Sequence, residues 1–216
     1  MLDDESLRKA IQKAIESAPK RKFLETVELA INLKDIDLRD PAKRFNTQVL
    51  LPHKPSKDVS VALIGDDAML QQAKDAGFAE LISKEDLEQF VRDPKAARKV
   101  AKKNDYFISL APLMPLVGRS LGRFLGPRGK MPTPIPPNAN PVDFLNRFSR
   151  TVLLRLRQNP VIHARIGTVD QPVEDLVENA KSVLAEVERR LEQGERNIKS
   201  IYVKTTMGPA IKVGEK

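Results

Sequence analysis

The spacing of hydrophobic residues changes along the chain and predicts an ordered series of helices and strands. Apolar residues recur at helical spacing from Leu7 to Ile15, and Pro19 ends the predicted helix. From Val27 to Lys34 apolar and polar residues alternate, which predicts a strand with one buried face. A second strand is predicted at roughly Asn46 to Leu51. One-sided strands of this kind are typical of antiparallel sheets.

A different pattern begins at Val59, where short apolar runs alternate with helical segments. Strands are predicted at residues 59–65, 79–82 and 106–110, and helices at 66–76, from Ser83 onwards and at 93–103. This alternation indicates a parallel sheet covered by helices, which is a small three-layer α/β domain. The next segment, 118–141, is rich in glycine and proline and is predicted to be an irregular loop. A helix is expected near residues 142–148.

The last third of the chain returns to one-sided strands. They are predicted at residues 152–157 and 161–166, and a turn at Gln158–Pro160 joins them. A long amphipathic helix is predicted to begin at Pro172 and to end before Gly194. The chain then finishes with a strand at 198–206 and a short return at 210–213.

Both flanks of the chain thus carry antiparallel-type strands and one amphipathic helix each, which favours an insertion. Residues 1–59 and 151–216 are predicted to form a terminal α+β domain, an antiparallel sheet with two helices. Residues 60–150 are predicted to form an inserted α/β domain. The two chain crossings, near Lys57 and Arg150, are expected to act as a hinge.

The charge of the chain points to a polyanionic partner. The net charge is +8, and the sequence pI is near 9.7. No acidic residue occurs between Asp105 and Asp143, and the cations in this gap are Arg119, Arg123, Arg128 and Lys130. Glycines in the same segment would let the backbone approach a phosphate closely. From the residues alone, the segment is either an RNA contact or a rigid structural loop.

The last long strand presents a row of polar side chains on one face. Ser200, Tyr202, Lys204 and Thr206 alternate with apolar residues, and the strand ends in the turn Met207-Gly208-Pro209. Such a face is either simply solvated or suited to the shape and 2′-hydroxyl groups of RNA.

Two further features have both a structural and a functional interpretation. Phe23, just before the first strand, is either a core residue or a platform for a ribose or base. Arg155 and Arg157 alternate on a strand and either flank the same polar surface or are solvated.

Catalysis finds little support in the sequence, so we predict that the protein is not an enzyme and needs no cofactor or metal. There is no Cys, and His53 and His163 are isolated from each other and from nucleophile motifs. The longest apolar run, Tyr106 to Gly118, contains two prolines and is too short to cross a membrane. No apolar leader opens the chain, and a cytoplasmic location is expected.

The alternative hypothesis is an enzyme that binds a nucleotide in the α/β domain. Its support is analogy of fold, which does not establish activity. The first strand of that domain ends in Ile64-Gly65-Asp66-Asp67, which places two carboxylates where a phosphate would bind. That arrangement is unfavourable for an anion site at a helix N-terminus.

Four motifs in register resemble one protein family. They are Phe23-x-Glu-Thr-Val-Glu28, Val49-Leu-Leu-Pro-His53, Leu125-Gly-Pro-Arg-Gly-Lys-Met-Pro132 and Tyr202-Val-x-Thr-Thr-Met-Gly-Pro209. In this order they are similar to the large-subunit ribosomal protein L1 family, and the match covers nearly the whole chain. The compact length is closest to the archaeal form.

The resemblance implies a fold and a role. It implies a terminal α+β domain and an inserted Rossmann-like domain that open and close about the hinge. It also implies binding to large-subunit rRNA at the mobile stalk near the exit tRNA site, assistance to the release of deacylated tRNA, and repression of the protein's own mRNA. The implied partners are therefore large-subunit rRNA, own mRNA and exit-site tRNA within the ribosome. The free protein is expected to be a monomer.

The resemblance also assigns candidate RNA-binding residues, mainly on the terminal domain. Together with the strand-face cation and the two alternating arginines, they are Lys22, Phe23, Thr26, Glu28, Arg155, Arg157, Ser200, Lys204, Thr206, Met207, Gly208 and Pro209. A secondary site is expected in the inserted domain, at Arg119, Arg123, Arg128 and Lys130.

Overall fold

The computed structural model describes residues 4–55 and 59–214. Its backbone contacts group into two compact units. The terminal unit comprises Met1–Lys57 and Arg150–Lys216, and the inserted unit comprises Asp58–Ser149. Each unit has its own hydrophobic core, and each is described separately.

The terminal unit contributes the first and last elements of the chain, and the inserted unit contributes those between them. The terminal unit begins with α1 (Asp4–Glu16), β1 (Thr26–Leu33) and β2 (Phe45–Leu50). The inserted unit contains β3 (Val61–Ile64), α2 (Asp67–Ala73), β4 (Glu80–Ile82), α3 (Lys84–Arg92), α4 (Pro94–Lys103), β5 (Tyr106–Leu110), α5 (Met114–Ser120), α6 (Gly122–Leu125), β6 (Thr133–Ile135) and α7 (Pro141–Ser149). The terminal unit then resumes with β7 (Thr151–Leu156), β8 (Val161–Thr168), α8 (Val173–Arg190), β9 (Ile198–Thr205) and β10 (Ile211–Lys212).

A four-stranded antiparallel sheet forms the centre of the terminal unit, with strand order β10-β9-β1-β8. The predicted alternation in β1 is confirmed, since every second residue from Val27 to Leu33 is buried. These side chains share one core with the apolar stripes of α1 and α8. The helices therefore cover one face of the sheet and leave the polar residues of β1 and β9 on the other, which we call the open face.

The other two strands of the terminal unit pair separately from this sheet. β2 and β7 form a two-stranded antiparallel sheet, with Phe45 opposite Leu156 and Leu50 opposite Thr151. The sequence led us to expect one sheet. An alternating pattern shows which face of a strand is buried but not which strand is its partner.

The inserted unit contains a parallel sheet with strand order β4-β3-β5-β6. All four residues of β3 are buried, as expected for a strand covered on both faces. One core cluster contains residues of α3, α4, α5 and α6, and a second contains residues of α2 and α7. Helices thus pack on both sides of the parallel sheet.

The prediction of an irregular loop at residues 118–141 is wrong in its details. Residues 114–125 form α5 and α6, and residues 133–135 form the edge strand β6. Pro115 lies in the first turn of α5, where its missing N–H removes no helical hydrogen bond. Pro134 lies on the edge strand β6, a position that tolerates proline. Pro134 thus lies on a sheet edge and not in a loop, and Pro115, just before the predicted loop, lies at the beginning of a helix.

Candidate nucleic-acid interface

On the open face, the pairing of β1 with β9 places polar residues of the two strands directly opposite each other. The register places Glu28 opposite Lys204, and Asn32 opposite Ser200. The side-chain amide of Asn32 donates a hydrogen bond to the Ser200 hydroxyl at 3.0 Å. Directly opposed residues of an antiparallel pair are close enough to interact, so these rows act as joint groups of donors, acceptors and charges.

A compact network lies where β9 ends beside the beginning of β1. The Thr206 N–H donates to the Thr26 carbonyl at 3.0 Å. The Thr206 hydroxyl is 3.2 Å from that carbonyl oxygen and 3.2 Å from a Glu28 carboxylate oxygen. The Lys204 ammonium donates to the Thr206 carbonyl at 2.9 Å. Thr206 is exposed. The structure thus brings together Thr26, Glu28, Lys204 and Thr206, four of the predicted site residues.

A buried carboxylate fixes the turn that follows β9. Glu25 is only 4 % exposed, and one of its carboxylate oxygens accepts the Met207 N–H at 3.2 Å. The Gly208 N–H donates to the Thr205 carbonyl at 3.2 Å. A Cβ atom on Gly208 would lie 2.3 Å from the Thr205 hydroxyl oxygen, so a side chain at this position would displace that hydroxyl group. Glu25 was not among the predicted site residues, although it lies inside the first motif.

Two large apolar side chains next to this network are exposed to solvent. Phe23 is 55 % exposed and Met207 is 56 % exposed, and the neighbouring Leu24 is also exposed. The core interpretation of Phe23 is therefore wrong. The Met207 backbone is held by Glu25, two residues after Phe23. Exposed aromatic and apolar groups beside polar donors are suited to stacking on bases and riboses.

The remaining residues of the first and last motifs are also accessible. Lys22 and Pro209 are exposed, and Ser200 and Gly208 are half-buried. Lys22 adds a cation next to Phe23. Ser200 lies opposite Asn32, at the other end of the open face from Thr206. At the end with Thr206, the terminal unit therefore offers charge, hydrogen-bonding groups and apolar surface together.

Arg155 and Arg157 are not part of the network around Thr206. They line an open depression with Arg44, Gln158, Asn159 and Val161, and Arg155 belongs to β7, which pairs with β2. Val161 pairs with Asn32, which is six residues along β1 from Thr26. At about 3.3 Å per residue this corresponds to roughly 20 Å along the strand. The two arginines thus approach the opposite end of β1 from Thr206 and Met207.

The pairing of β1 with β8 adds residues that the sequence did not suggest. Arg165 lies opposite Glu28, and His163 lies opposite Ala30. His163 is exposed and Arg165 is half-buried. Both belong to the open face. A single sequence does not reveal this register, particularly because a bulge shifts it between Val27 and Glu28.

The four cations of the predicted secondary site have different environments. Arg119 on α5 and Arg123 on α6 are accessible to solvent, and the Arg123 guanidinium lies 5.0 Å from the Phe124 ring centroid. Arg128 is half-buried. The Lys130 ammonium donates to the Asn104 carbonyl at 2.6 Å, so this side chain connects the segment before β6 to the end of α4.

Asp66 and His53, two of the positions considered for cofactor binding or catalysis, have structural roles. The Asp66 carboxylate caps α2 by accepting the Met69 N–H at 3.0 Å. His53 contacts a Glu178 carboxylate oxygen at 2.6 Å, and its backbone N–H donates to the Asn179 side chain at 3.0 Å. Within residues 4–55 and 59–214, no group of three or more His, Cys, Asp or Glu side chains could hold a metal ion. No helix in the same ranges is long and apolar enough to cross a membrane.

An open, partly cationic sheet face bordered by exposed Phe23 and Met207 is the kind of surface found in RNA-binding proteins. Comparison with known proteins identifies the family of the chain. Residues 11–209 match the Ribosomal protein L1p/L10e family, and the chain belongs to this family. The resemblance derived from the four motifs is confirmed. The family is not an enzyme family.

Several archaeal relatives align with the chain over nearly its whole length. It is 49 % identical over 214 residues to the large ribosomal subunit protein uL1 of Thermococcus kodakarensis, covering 98 % of each chain. It is 46 % identical to that of Pyrococcus horikoshii, covering 98 % of this chain and 96 % of the relative. It is 44 % identical to that of Archaeoglobus fulgidus, covering 99 % of each. The archaeal-like form suggested by the compact length is therefore supported.

Proposed function

We propose that the protein is a structural constituent of the large ribosomal subunit and binds large-subunit rRNA through the β1–β9 end of the open face. Its relatives are named large ribosomal subunit protein uL1, and their similarity spans both units of the chain. The observation that carries the proposal is the network of Thr26, Glu28, Lys204 and Thr206, which lies beside the exposed side chains of Phe23 and Met207.

Each residue of this surface would make a different contact with the RNA. Phe23 and Met207 present apolar surface to a ribose or base, and Thr206 presents a hydroxyl group. Ser200 would present its hydroxyl at the other end of the open face, beside Asn32. Lys22 and Lys204 supply positive charge toward phosphates. Glu28 accepts hydrogen bonds, and its carboxylate discriminates against a phosphate at that point while favouring a 2′-hydroxyl or amino donor. The turn Met207-Gly208-Pro209 is positioned by buried Glu25 before any RNA arrives.

The finer roles belong to the same proposal. At the mobile stalk of the ribosome, the protein assists the release of deacylated tRNA from the exit site. When it is free, as a monomer in the cytoplasm, it binds a similar RNA fold in its own mRNA and represses translation. Both roles use the same surface, because a messenger can compete with rRNA only where its fold presents similar groups.

Identification of RNA crosslinked to the native protein in cells tests the proposal. We expect the crosslinked fragments to come from one region of large-subunit rRNA, with a minor population from the protein's own mRNA. Crosslinked peptides should contain residues 22–28 or 200–209. Fragments spread over many RNAs without enrichment of large-subunit rRNA would contradict the proposal.

A reporter assay tests the regulatory part separately. The leader and early coding region of the protein's own mRNA would be fused to a reporter and translated with added protein. We expect wild-type protein to lower the reporter yield and Met207→Ala to lower it less. Equal yields with and without wild-type protein would remove the regulatory role while leaving rRNA binding untouched.

A further inference from the structure

Helix α4 in the inserted unit has a cationic stripe that the proposed function does not use. Its members recur at helical spacing and are all exposed: Lys95, Arg98, Lys99 and Lys102. The opposite side of the helix is buried in the core through Ala97, Val100 and Ala101. The helix is thus held by its apolar side and presents four positive charges to solvent in one row.

These four side chains have no anionic partner in the described part of the chain, where no carboxylate lies within 4.0 Å of any of them. The nearest acidic cap, Asp93, is engaged with the N–H groups of Lys95 and Ala96 at the beginning of the helix. Lys103, by contrast, faces Glu80 at 3.9 Å and is not part of the stripe.

In the terminal unit, by contrast, several cations on the helices are ion-paired with carboxylates. Arg8 faces Glu174 at 3.5 Å, Lys9 faces Glu5 at 2.6 Å, and Lys181 faces Asp4 at 2.6 Å. The surface of α1 and α8 is therefore balanced by local ion pairs. The α4 stripe is unbalanced, and an unbalanced row of charges attracts a polyanion at long range.

Neighbouring helices extend the cationic area. α4 packs in the same core cluster as α5 and α6, through Val117, Leu121 and Leu125. These two helices carry solvent-accessible Arg119 and Arg123. All three helices therefore lie on one side of the parallel sheet, together with α3, which belongs to the same core cluster and carries Glu85, Asp86 and Glu88. The positive charge is thus concentrated on α4, α5 and α6 and does not extend over α3.

We propose that this stripe is a second RNA-binding surface, which contacts the phosphate backbone without regard to base sequence. Lysine and arginine side chains on a rigid helix neutralise phosphates and position an RNA, whereas base recognition needs groups that reach base edges. The stripe itself has four cations and no aromatic side chain. This surface is separate from the proposed site on the terminal unit and extends the contact with RNA to the inserted unit.

The test uses the full chain and a mixed-sequence RNA duplex, with affinity measured at a series of salt concentrations. The variant combines Lys95→Gln, Arg98→Gln, Lys99→Gln and Lys102→Gln. Glutamine has a helix propensity close to that of lysine and arginine, so α4 should remain folded. We expect the slope of log affinity against log salt to fall by about two to four, and the low-salt affinity to fall about tenfold or more.

A matched control removes the same number of charges from cations of α1 and α8 that are ion-paired, through Arg8→Gln, Lys9→Gln, Lys181→Gln and Arg189→Gln. It should leave the slope close to that of the wild type, and thermal melting should show that both variants are folded. If the α4 variant and the control behave alike, the inference is overturned. Binding of polyglutamate that depends on the stripe, with unchanged RNA affinity, would assign the stripe to an acidic protein and also overturn it.

The result is independent of the site on the terminal unit. Thr206→Ala removes no charge, so it should leave the salt slope for this duplex unchanged. A loss of specific RNA binding in Thr206→Ala tests the proposed function, and a change of slope in the α4 variant tests the stripe.

Discussion

Gly208 shows how a single residue shapes the proposed interface. The turn after β9 passes so close to Thr205 that a side chain at position 208 has no room, and Thr205 is itself fully buried. The buried Glu25 carboxylate holds the adjacent Met207 N–H. The exposed position of Met207 therefore depends on the Glu25 carboxylate and the Thr205 side chain, which are both buried.

Replacing Gly208 by alanine should displace this turn. The added Cβ would lie 2.3 Å from the Thr205 hydroxyl oxygen and 3.4 Å from the Ala18 Cβ. We expect a loss of about 1–3 kcal/mol in the free energy of unfolding, as for other overpacked sites, and weaker RNA binding. Chemical denaturation and RNA titration measure the two effects. Gly118→Ala is the control, because no atom outside its own helix lies within 4 Å of the added Cβ. If both variants match the wild type, the turn is not constrained as the geometry indicates.

Glu186 provides a prediction about pH. Burial raises the pKa of this carboxyl group, but the hydrogen bond from Arg190 and the charges of Arg189 and Arg190 outweigh it and hold the pKa below the ordinary value of 4.5. A carboxyl group whose pKa is lower in the folded state stabilises the fold above the unfolded pKa. That stabilisation is lost as the pH falls through the folded pKa.

Glu186→Gln should therefore lower the stability at neutral pH, by on the order of 1 kcal/mol for the weakened hydrogen bonds to Arg190. The difference from wild type should shrink below pH 4.5, and denaturation at several pH values measures it. Glu192→Gln is the comparison, since the Glu192 side chain is 70 % exposed and its pair with Lys43 should contribute little. A constant difference across the whole pH range would show that the charge of Glu186 is not responsible.

At the scale of elements, secondary structure was predicted most accurately where the apolar residues had a regular spacing and packed into one large core. The alternation of β1 and the apolar stripe of α8 were predicted correctly, because burial of one face requires those spacings. The prediction of a loop from residue 118 onwards is wrong for residues 118–125 and 133–135, because it gives glycine and proline more weight than Leu121 and Leu125, which continue the buried helical spacing that begins at Val117. A helical spacing of apolar residues outweighs nearby glycine and proline when those apolar side chains can pack into a core.

Some residues of the candidate site could be predicted from the sequence and others could not. The motif residues around Phe23 and Thr206 could be predicted. Arg165 and His163 could not, because their place on the open face depends on the bulged register between β1 and β8. The separation of Arg155 from the network also depends on strand pairing, since β7 pairs with β2. Which strands pair, and in which register, is decided by long-range packing.

The buried face of β1 should dominate the stability of the terminal unit. Ile31 is fully buried in the core shared with α1 and α8. We expect Ile31→Ala to cost about 2–5 kcal/mol, the usual range for a large-to-small change in a core. Lys199→Ala, at an exposed position of β9, should stay within about 0.5 kcal/mol of wild type. Urea denaturation measures both. Similar losses in the two variants would mean that the sheet face is assigned wrongly.

At the scale of the whole molecule, the terminal unit obtains its core from both ends of the chain. Residues before 55 and after 149 supply the entire hydrophobic cluster that contains α1, α8 and β1. The crossing predicted near Lys57 lies outside the described residues. The two chain segments that lead to the inserted unit meet at Leu51 and Arg150, because the Leu51 N–H donates to the Arg150 carbonyl at 2.9 Å. A short linker could therefore replace the inserted unit without stretching the chain.

A shortened protein in which a Gly-Ser linker replaces residues 59–149 should fold. We expect a single cooperative unfolding transition and a dispersed NMR spectrum, because the core of the terminal unit is retained whole. It should still bind specific RNA, and it should lose the salt-dependent contribution assigned to α4. A chain that remains unfolded would contradict the view that this unit contains a complete core.

The central claim is that the end of the open face at Thr206 and Met207 binds RNA. The most direct test is the affinity of full-length Thr206→Ala and Met207→Ala for the crosslinked rRNA fragment, at one fixed salt concentration. Val91→Ala, an exposed apolar change in the inserted unit, serves as the control. We predict that each of the first two variants loses about 1–3 kcal/mol of binding free energy while melting like the wild type, and that the control loses none. Wild-type affinity in both variants would contradict the claim.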